Sequence, residues 1–175
     1  MSFTDEYLVN NTAYAETFAG HLNLPPSRSL AVVACMDARL DIYRILGLHD
    51  GEAHVIRNAG GAVTDDTIRS LAISQRLLGT RKIFLIHHTK CGMLEFSDDS
   101  FRQGIEKETG IRPEWAAEAF DDLETDVEQS IRRIIVNPFI PHKDSIHGFI
   151  FDVDSGLLNP VDPECEVTRS HVPSV

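Results

Sequence analysis

The stretch VVACMDARLD, residues 32–41, passes from a continuous apolar run to Cys35, Asp37 and Arg39. A segment that is apolar at every position, rather than at alternate ones, has the pattern of a strand covered on both faces. Strands of this kind belong to parallel sheets with helices on either side, so the segment predicts an α/β fold. In an extended chain, residues two apart share a side. Cys35, Asp37 and Arg39 therefore converge at the strand's end, as a reactive cysteine, a metal site or an incidental salt bridge.

The flanking segments extend this pattern. Residues 4–22 predict a helix with Leu8, Ala15, Phe18 and Leu22 on one stripe and Thr4 as N-cap, ended by LPPSRS. A short helix is expected at 41–46 and a second strand at 53–57, closing in a glycine-rich turn. TDDTIRSLAISQRLLG (64–79) reads as a helix capped by Thr64, and KIFLIHHT (82–89) as a third strand. A short helix is expected at 99–108. DDLETDVEQSIRRIIV (121–136) is amphipathic, with Leu123, Val127, Ile131, Ile134 and Ile135 on its core face. SIHGFIFDV (145–153) is a fourth strand and LLNPV (157–161) a short edge strand. Strands alternating with helices predict one α/β domain over residues 1–175, with a mostly parallel sheet of about four to five strands flanked by helices.

Composition narrows the function. The 175 residues are 42% hydrophobic and 25% charged, as in ordinary soluble globular proteins. A net charge of −11 argues against binding nucleic acid or an anionic membrane by bulk electrostatics. The N-terminal MSFTDEYLVN is acidic and lacks the apolar core of a secretory signal. No stretch approaches the roughly 18–20 apolar residues of a membrane span, so the cytoplasm is the expected location. Three cysteines, Cys35, Cys91 and Cys165, do not make a disulfide framework. Cys165 reads as an inert or exposed thiol.

Ligands of parallel sheets gather at the carboxyl ends of the strands. Three such ends carry unusual chemistry here: CMDAR (35–39), RNAGG (57–61) and HHTKCGM (87–93). Cys35, His88 and Cys91 form a Cys2His set, which suits zinc and leaves a fourth position open for water. The alternatives are buried thiols beside a core histidine, or a structural zinc closed by Asp37. Arg39 weighs against closure, because its guanidinium can grip Asp37 in a bidentate pair and turn it toward a metal-bound water. A cysteine nucleophile with a phosphate cradle is disfavoured. MDA between Cys35 and Arg39 is too short for a ring of backbone amides, and Asp37 would repel phosphate.

His54 is a candidate proton carrier because it titrates near neutrality, although a histidine without a catalytic role is the preferred reading. His87 should point away from the site, since its neighbour His88 points in. Arg57 and Asn58 either brace the Gly60-Gly61 turn, the preferred reading, or shape the pocket. FSDDS (96–100) reads as a solvated loop rather than a second metal site. His21, His49, His142, His147 and His171 receive no role.

CMDAR, HVIRNAGG and HHTKCGM, followed by SIHGFIFDVDSGLLNPV, resemble the signature segments of the β-class carbonic anhydrases, in their short variety. The resemblance covers residues 25–161. It implies Zn2+ on Cys35, His88 and Cys91, with Asp37 and Arg39 as the catalytic dyad beside the zinc-bound water and the Gly92 amide facing the substrate. It implies reversible hydration of carbon dioxide to bicarbonate and a proton by zinc-bound hydroxide. It also implies a homodimer, or a homotetramer of paired dimers, whose N-terminal helical arm (1–24) packs on the partner. Relatives with the same zinc site hydrolyse carbonyl sulfide or carbon disulfide, and the metal motifs do not separate these activities. A third reading, a non-catalytic zinc-stabilised binding domain, is opposed by the Asp37–Arg39 pair. The chain departs from the family at Ala38, often serine, and at Lys90, often aspartate.

Overall fold

The computed structural model describes residues 3–161. Cys165 and His171 lie outside the described residues. β1 (Leu30–Cys35) is buried along its whole length, between parallel β2 (Ala53–Asn58) and parallel β3 (Lys82–His88). β4 (Ile146–Phe151) pairs parallel with β3, and β5 (Leu158–Val161) closes the edge antiparallel to β4. The order β2-β1-β3-β4-β5 is a five-stranded, mostly parallel sheet, as the apolar strands require. Among the described residues, five α-helices accompany it: α1 (Phe3–Thr17), α2 (Ile42–Leu46), α3 (Asp65–Arg76), α4 (Asp98–Thr109) and α5 (Leu123–Val136).

Both faces of the sheet are covered, which is why β1 has no polar position. Leu30, Val32 and Ala34 pack with Leu40, Ile42 and Ile86 on one face. Ala31 and Val33 pack on the other, with Leu71 of α3 and Val127, Ile131 and Ile134 of α5. Gly148 lets α5 lie close on β4: a Cβ there would overlap Val127. Local chemistry sets the helix starts. The Thr64 side chain caps α3, with Asp65 and Asp66 in the first turn, and Asp122 accepts from the Thr125 N–H at 2.8 Å to open α5.

The N-terminal segment differs from its sequence reading. The helix ends at Thr17, so Phe18 and Leu22 lie beyond it, and Thr4 lies inside it rather than before it. Gly20 and His21, at φ 57° and 52°, turn the chain out of the helical region. No residue of α1 is buried; Phe3, Tyr7, Leu8, Val9 and Tyr14 are exposed. Among the described residues, no helix is long and apolar enough to cross a membrane.

Candidate metal centre

The site forms where β1 and β3 end side by side, with Ala34 in register with Ile86. Cys35 leaves β1 and His88 leaves β3. Lys90, at φ 54°, reverses the chain and returns Cys91 to the same place. The Cys35 and Cys91 sulfurs are 4.0 Å apart, and the ligand atoms of Cys35, His88 and Cys91 all lie within 4.8 Å of one another. All three side chains are buried. His88 Nδ1 donates to the Thr89 carbonyl at 2.9 Å, which fixes the tautomer and leaves Nε2 with a lone pair and no hydrogen-bond partner. An orphaned imidazole nitrogen facing two thiols is the donor set of a soft or borderline cation, and zinc fits it.

The electrostatics agree. The contact between the two sulfurs draws Cys35 down to about 4 and pushes Cys91 up. Burial disfavours a charged His88 ring, but the Cys35 sulfur, the Thr89 carbonyl and Asp37 together hold its pKa above the ordinary value. The Cys35 thiolate and the ionised Asp37 carboxylate thus border the place a cation would take.

Asp37 is gripped rather than free. Arg39 Nε donates to Oδ1 at 2.9 Å and Nη2 to Oδ2 at 2.7 Å, and the Arg39 backbone N–H donates to Oδ1 at 2.8 Å. These bonds, the Arg39 side chain first, hold the Asp37 carboxyl well below the usual carboxylate range. Its Oδ2 stands 3.6 Å from His88 Nε2, so the carboxylate borders the metal position.

Arg57 does more than the sequence suggested. Its guanidinium donates to the Cys35 carbonyl at 3.1 and 3.0 Å and to the Asp37 carbonyl at 2.6 Å, bracing the ligand loop itself. Asn58 braces the glycine turn, donating to the Ala62 carbonyl at 2.9 Å and to Thr67 Oγ1 at 3.1 Å. Within that turn Gly61 has φ 72°, and a Cβ there would stand 2.9 Å from the Cys35 nitrogen and 3.2 Å from the His87 ring. Gly61→Ala combines left-handed strain with that overlap. It is expected to cost about 3 kcal/mol in denaturant unfolding and to weaken zinc retention, read by metal analysis after dialysis.

His54 is not at the site. It pairs with Ala31 at the start of β1, whereas Asn58 pairs with Cys35 at the end. At about 3.3 Å per residue this puts it roughly 13 Å away along the sheet. Its Nδ1 is bonded to Ser74 Oγ at 2.8 Å under α3, so the proton-carrier expectation is corrected to a structural contact. The FSDDS segment is also corrected. Ser97 caps α4, Asp98 accepts the Ala117 and Ala119 N–H groups at 2.9 and 2.8 Å, and these acids start a helix rather than a loop.

His87 turns to the other side, against Phe120 at a ring separation of 5.7 Å, with Nε2 3.6 Å from Asp126 Oδ2. Burial lowers His87 to about 4 and raises Asp126 to about 6, the latter opposed by Arg133 and reinforced by Glu118. A carboxyl raised by folding stabilises the fold while protonated, below its unfolded pKa near 4, and loses that contribution as pH rises through about 6. Asp126→Asn is therefore expected to stabilise the protein by about 2 kcal/mol at pH ~8 and to leave it nearly unchanged at pH ~4, read as unfolding midpoints.

Gly92 faces open space: a Cβ there would meet nothing within 4 Å. An apolar cavity of about 550 Å³, lined by Met36, Asn58, Met93, Phe96, Phe101 and Trp115, adjoins the residues that flank Cys35.

The carbonic anhydrase family model matches residues 30–158. The chain is 63% identical over 163 residues to β-carbonic anhydrase 1 of Mycobacterium tuberculosis, spanning 93% of this chain and 100% of that protein. It is 34% identical over 160 residues to a carbon disulfide hydrolase of Acidithiobacillus thiooxidans, spanning 79% and 80% of the two chains. The fold matches the crystal structure of carbonic anhydrase from Streptococcus mutans with a TM-score of 0.86 and 40% identity, over 93% of this chain and 99% of that one. The chain belongs to the carbonic anhydrase family, within its β-class. It is thereby placed among lyase-type enzymes, with carbon disulfide hydrolases as more distant relatives.

Proposed function

We propose that the protein hydrates carbon dioxide reversibly to bicarbonate and a proton, with Zn2+ held by Cys35, His88 and Cys91. The observation that carries this reading is the Asp37 carboxylate, clamped by Arg39 and set 3.6 Å from the orphaned His88 Nε2. A purely structural site has no use for a carboxylate held just short of the metal. Zinc, when bound, supplies the Lewis acidity that brings deprotonation of water into the neutral pH range.

The chain's own groups supply the rest. Asp37 stays ionised, so it only accepts hydrogen bonds, and it aims the attacking oxygen's lone pair at the carbon of carbon dioxide. Arg39 keeps that carboxylate from closing the fourth position. Arg57 fixes the Cys35–Asp37 backbone from which both groups hang. Gly92 leaves room for a small linear substrate beside its amide, and the apolar cavity suits a molecule without charge.

The exposed apolar residues of α1, none buried in the monomer, support a homodimer in which this arm packs on a second copy, with tetramers formed by further pairing. The relationship to carbon disulfide hydrolases supports a second reading, hydrolysis of carbonyl sulfide or carbon disulfide at the same residues. Stopped-flow carbon dioxide hydration, with both sulfur substrates offered in parallel, separates the two. The proposal expects carbon dioxide to be turned over fastest; preference for either sulfur substrate would transfer the assignment to the hydrolase.

A further inference from the structure

Two loops meet at the rim of the metal centre: Thr89–Lys90, between His88 and Cys91, and the β4–β5 turn, residues 152–156. The Thr89 N–H donates to the Phe151 carbonyl at 2.9 Å, and the Val153 N–H donates to Thr89 Oγ1 at 3.1 Å. The turn is pinned from within. Asp152 Oδ1 accepts the Asp154 N–H and the Asp152 carbonyl accepts the Gly156 N–H, each at 2.8 Å. It therefore presents Asp154 in a fixed position. Lys90 Nζ donates to both Asp154 oxygens, at 2.8 and 2.6 Å.

Lys90 has φ 54°, a left-handed conformation that a side chain other than glycine adopts only under constraint. That conformation sends its ammonium to Asp154 and its carbonyl to Arg39. Arg39 Nη2 donates to the Lys90 carbonyl at 3.0 Å while also donating to Asp37 Oδ2 at 2.7 Å. A single guanidinium nitrogen thus joins the Asp37 clamp to the ligand loop.

We propose that Lys90 and Asp154 form an ionic latch that positions the Lys90 carbonyl and through it keeps Arg39 on Asp37, so that the fourth metal position stays open to small ligands. This rests on the reading of Asp37 and Arg39 given above. Lys90 and Asp154 are positioning residues: neither borders the reacting atoms. When the latch is broken, Lys90 relaxes, Arg39 loses its second anchor and Asp37 spends more time over the metal position. Both partners of the ion pair are largely exposed, so the effect is graded rather than all-or-none.

The test uses the cobalt-substituted protein and azide, a small anion that competes with Asp37 for the fourth position. Wild type, Lys90→Met, Asp154→Asn and the double variant are compared by visible titration at one pH, with cobalt content measured in each. Each single variant is expected to bind one cobalt and to lose about three- to fivefold in azide affinity. The double variant is expected to lose no more than either single one, because the two residues act as a pair. Asp154→Asn lies on the outer turn and reports the latch even where Lys90→Met disturbs the ligand loop. Equal azide affinity in all four proteins, or additive losses in the double variant, overturns the latch. A wild type that does not hydrate carbon dioxide, yet shows this order of azide affinities, removes the functional reading and leaves the latch standing.

Discussion

Cys91→Ser is expected to empty the metal centre. Serine has almost the same size as cysteine, so the fold should persist, with unchanged far-ultraviolet circular dichroism. Its hydroxyl does not ionise near neutral pH, and oxygen is a poorer partner than thiolate for a borderline-soft cation. The remaining Cys35 and His88 make a two-ligand site. Zinc measured after dialysis should fall from about one per chain to near zero, the three-ligand set being what the ion needs. Carbon dioxide hydration should fall to the uncatalysed background in the same sample. Zinc retained at one per chain would mean that Cys91 is not a ligand.

Asp37→Asn is expected to have the next largest effect, and it separates the two roles open to this side chain. The amide keeps the size of the carboxylate but loses the charge that Arg39 grips from two sides. It also gains a donor where the mechanism needs only an acceptor. With zinc retained in full, kcat/KM should drop by about 100-fold or more, the scale of a lost acid–base partner. Arg39→Ala should reach a similar loss by releasing Asp37, and the double variant should be no worse than either single one, because the pair acts as a unit. Wild-type rates in Asp37→Asn would remove Asp37 from catalysis. Loss of zinc in that variant would make it a ligand.

The strands and helices were legible in the sequence, most plainly those with a simple apolar pattern. β1, β3 and β4 are short apolar runs bounded by turn residues, and α3 and α5 carry a 3.6-residue stripe with a side-chain cap. The Cys2His cluster was legible because Cys35 and His88 end neighbouring strands, which a parallel sheet brings together, and Cys91 follows His88 by three residues. Arg57 was underestimated. Its partners are the Cys35 and Asp37 carbonyls, and backbone acceptors leave no mark in side-chain identity. The position of His54 was not legible because strand register was unknown. A shift of four residues along β2 separates the ligand end from the opposite end of the sheet. The end of α1 was misread because its apolar spacing continues through Phe18 and Leu22, past the helix end at Thr17, and the left-handed pair Gly20 and His21 keeps the helix from resuming. The Lys90–Asp154 ion pair joins residues 64 apart in sequence, and only the fold places them in contact.

Zinc titration of the metal-free protein, with carbon dioxide hydration followed at each addition, tests the central claim most directly. The rate should rise in proportion to added zinc and reach its plateau at about one equivalent per chain, the stoichiometry of a single three-ligand site. One equivalent of tightly bound zinc with no rise in rate, or full activity before any zinc is added, would contradict it.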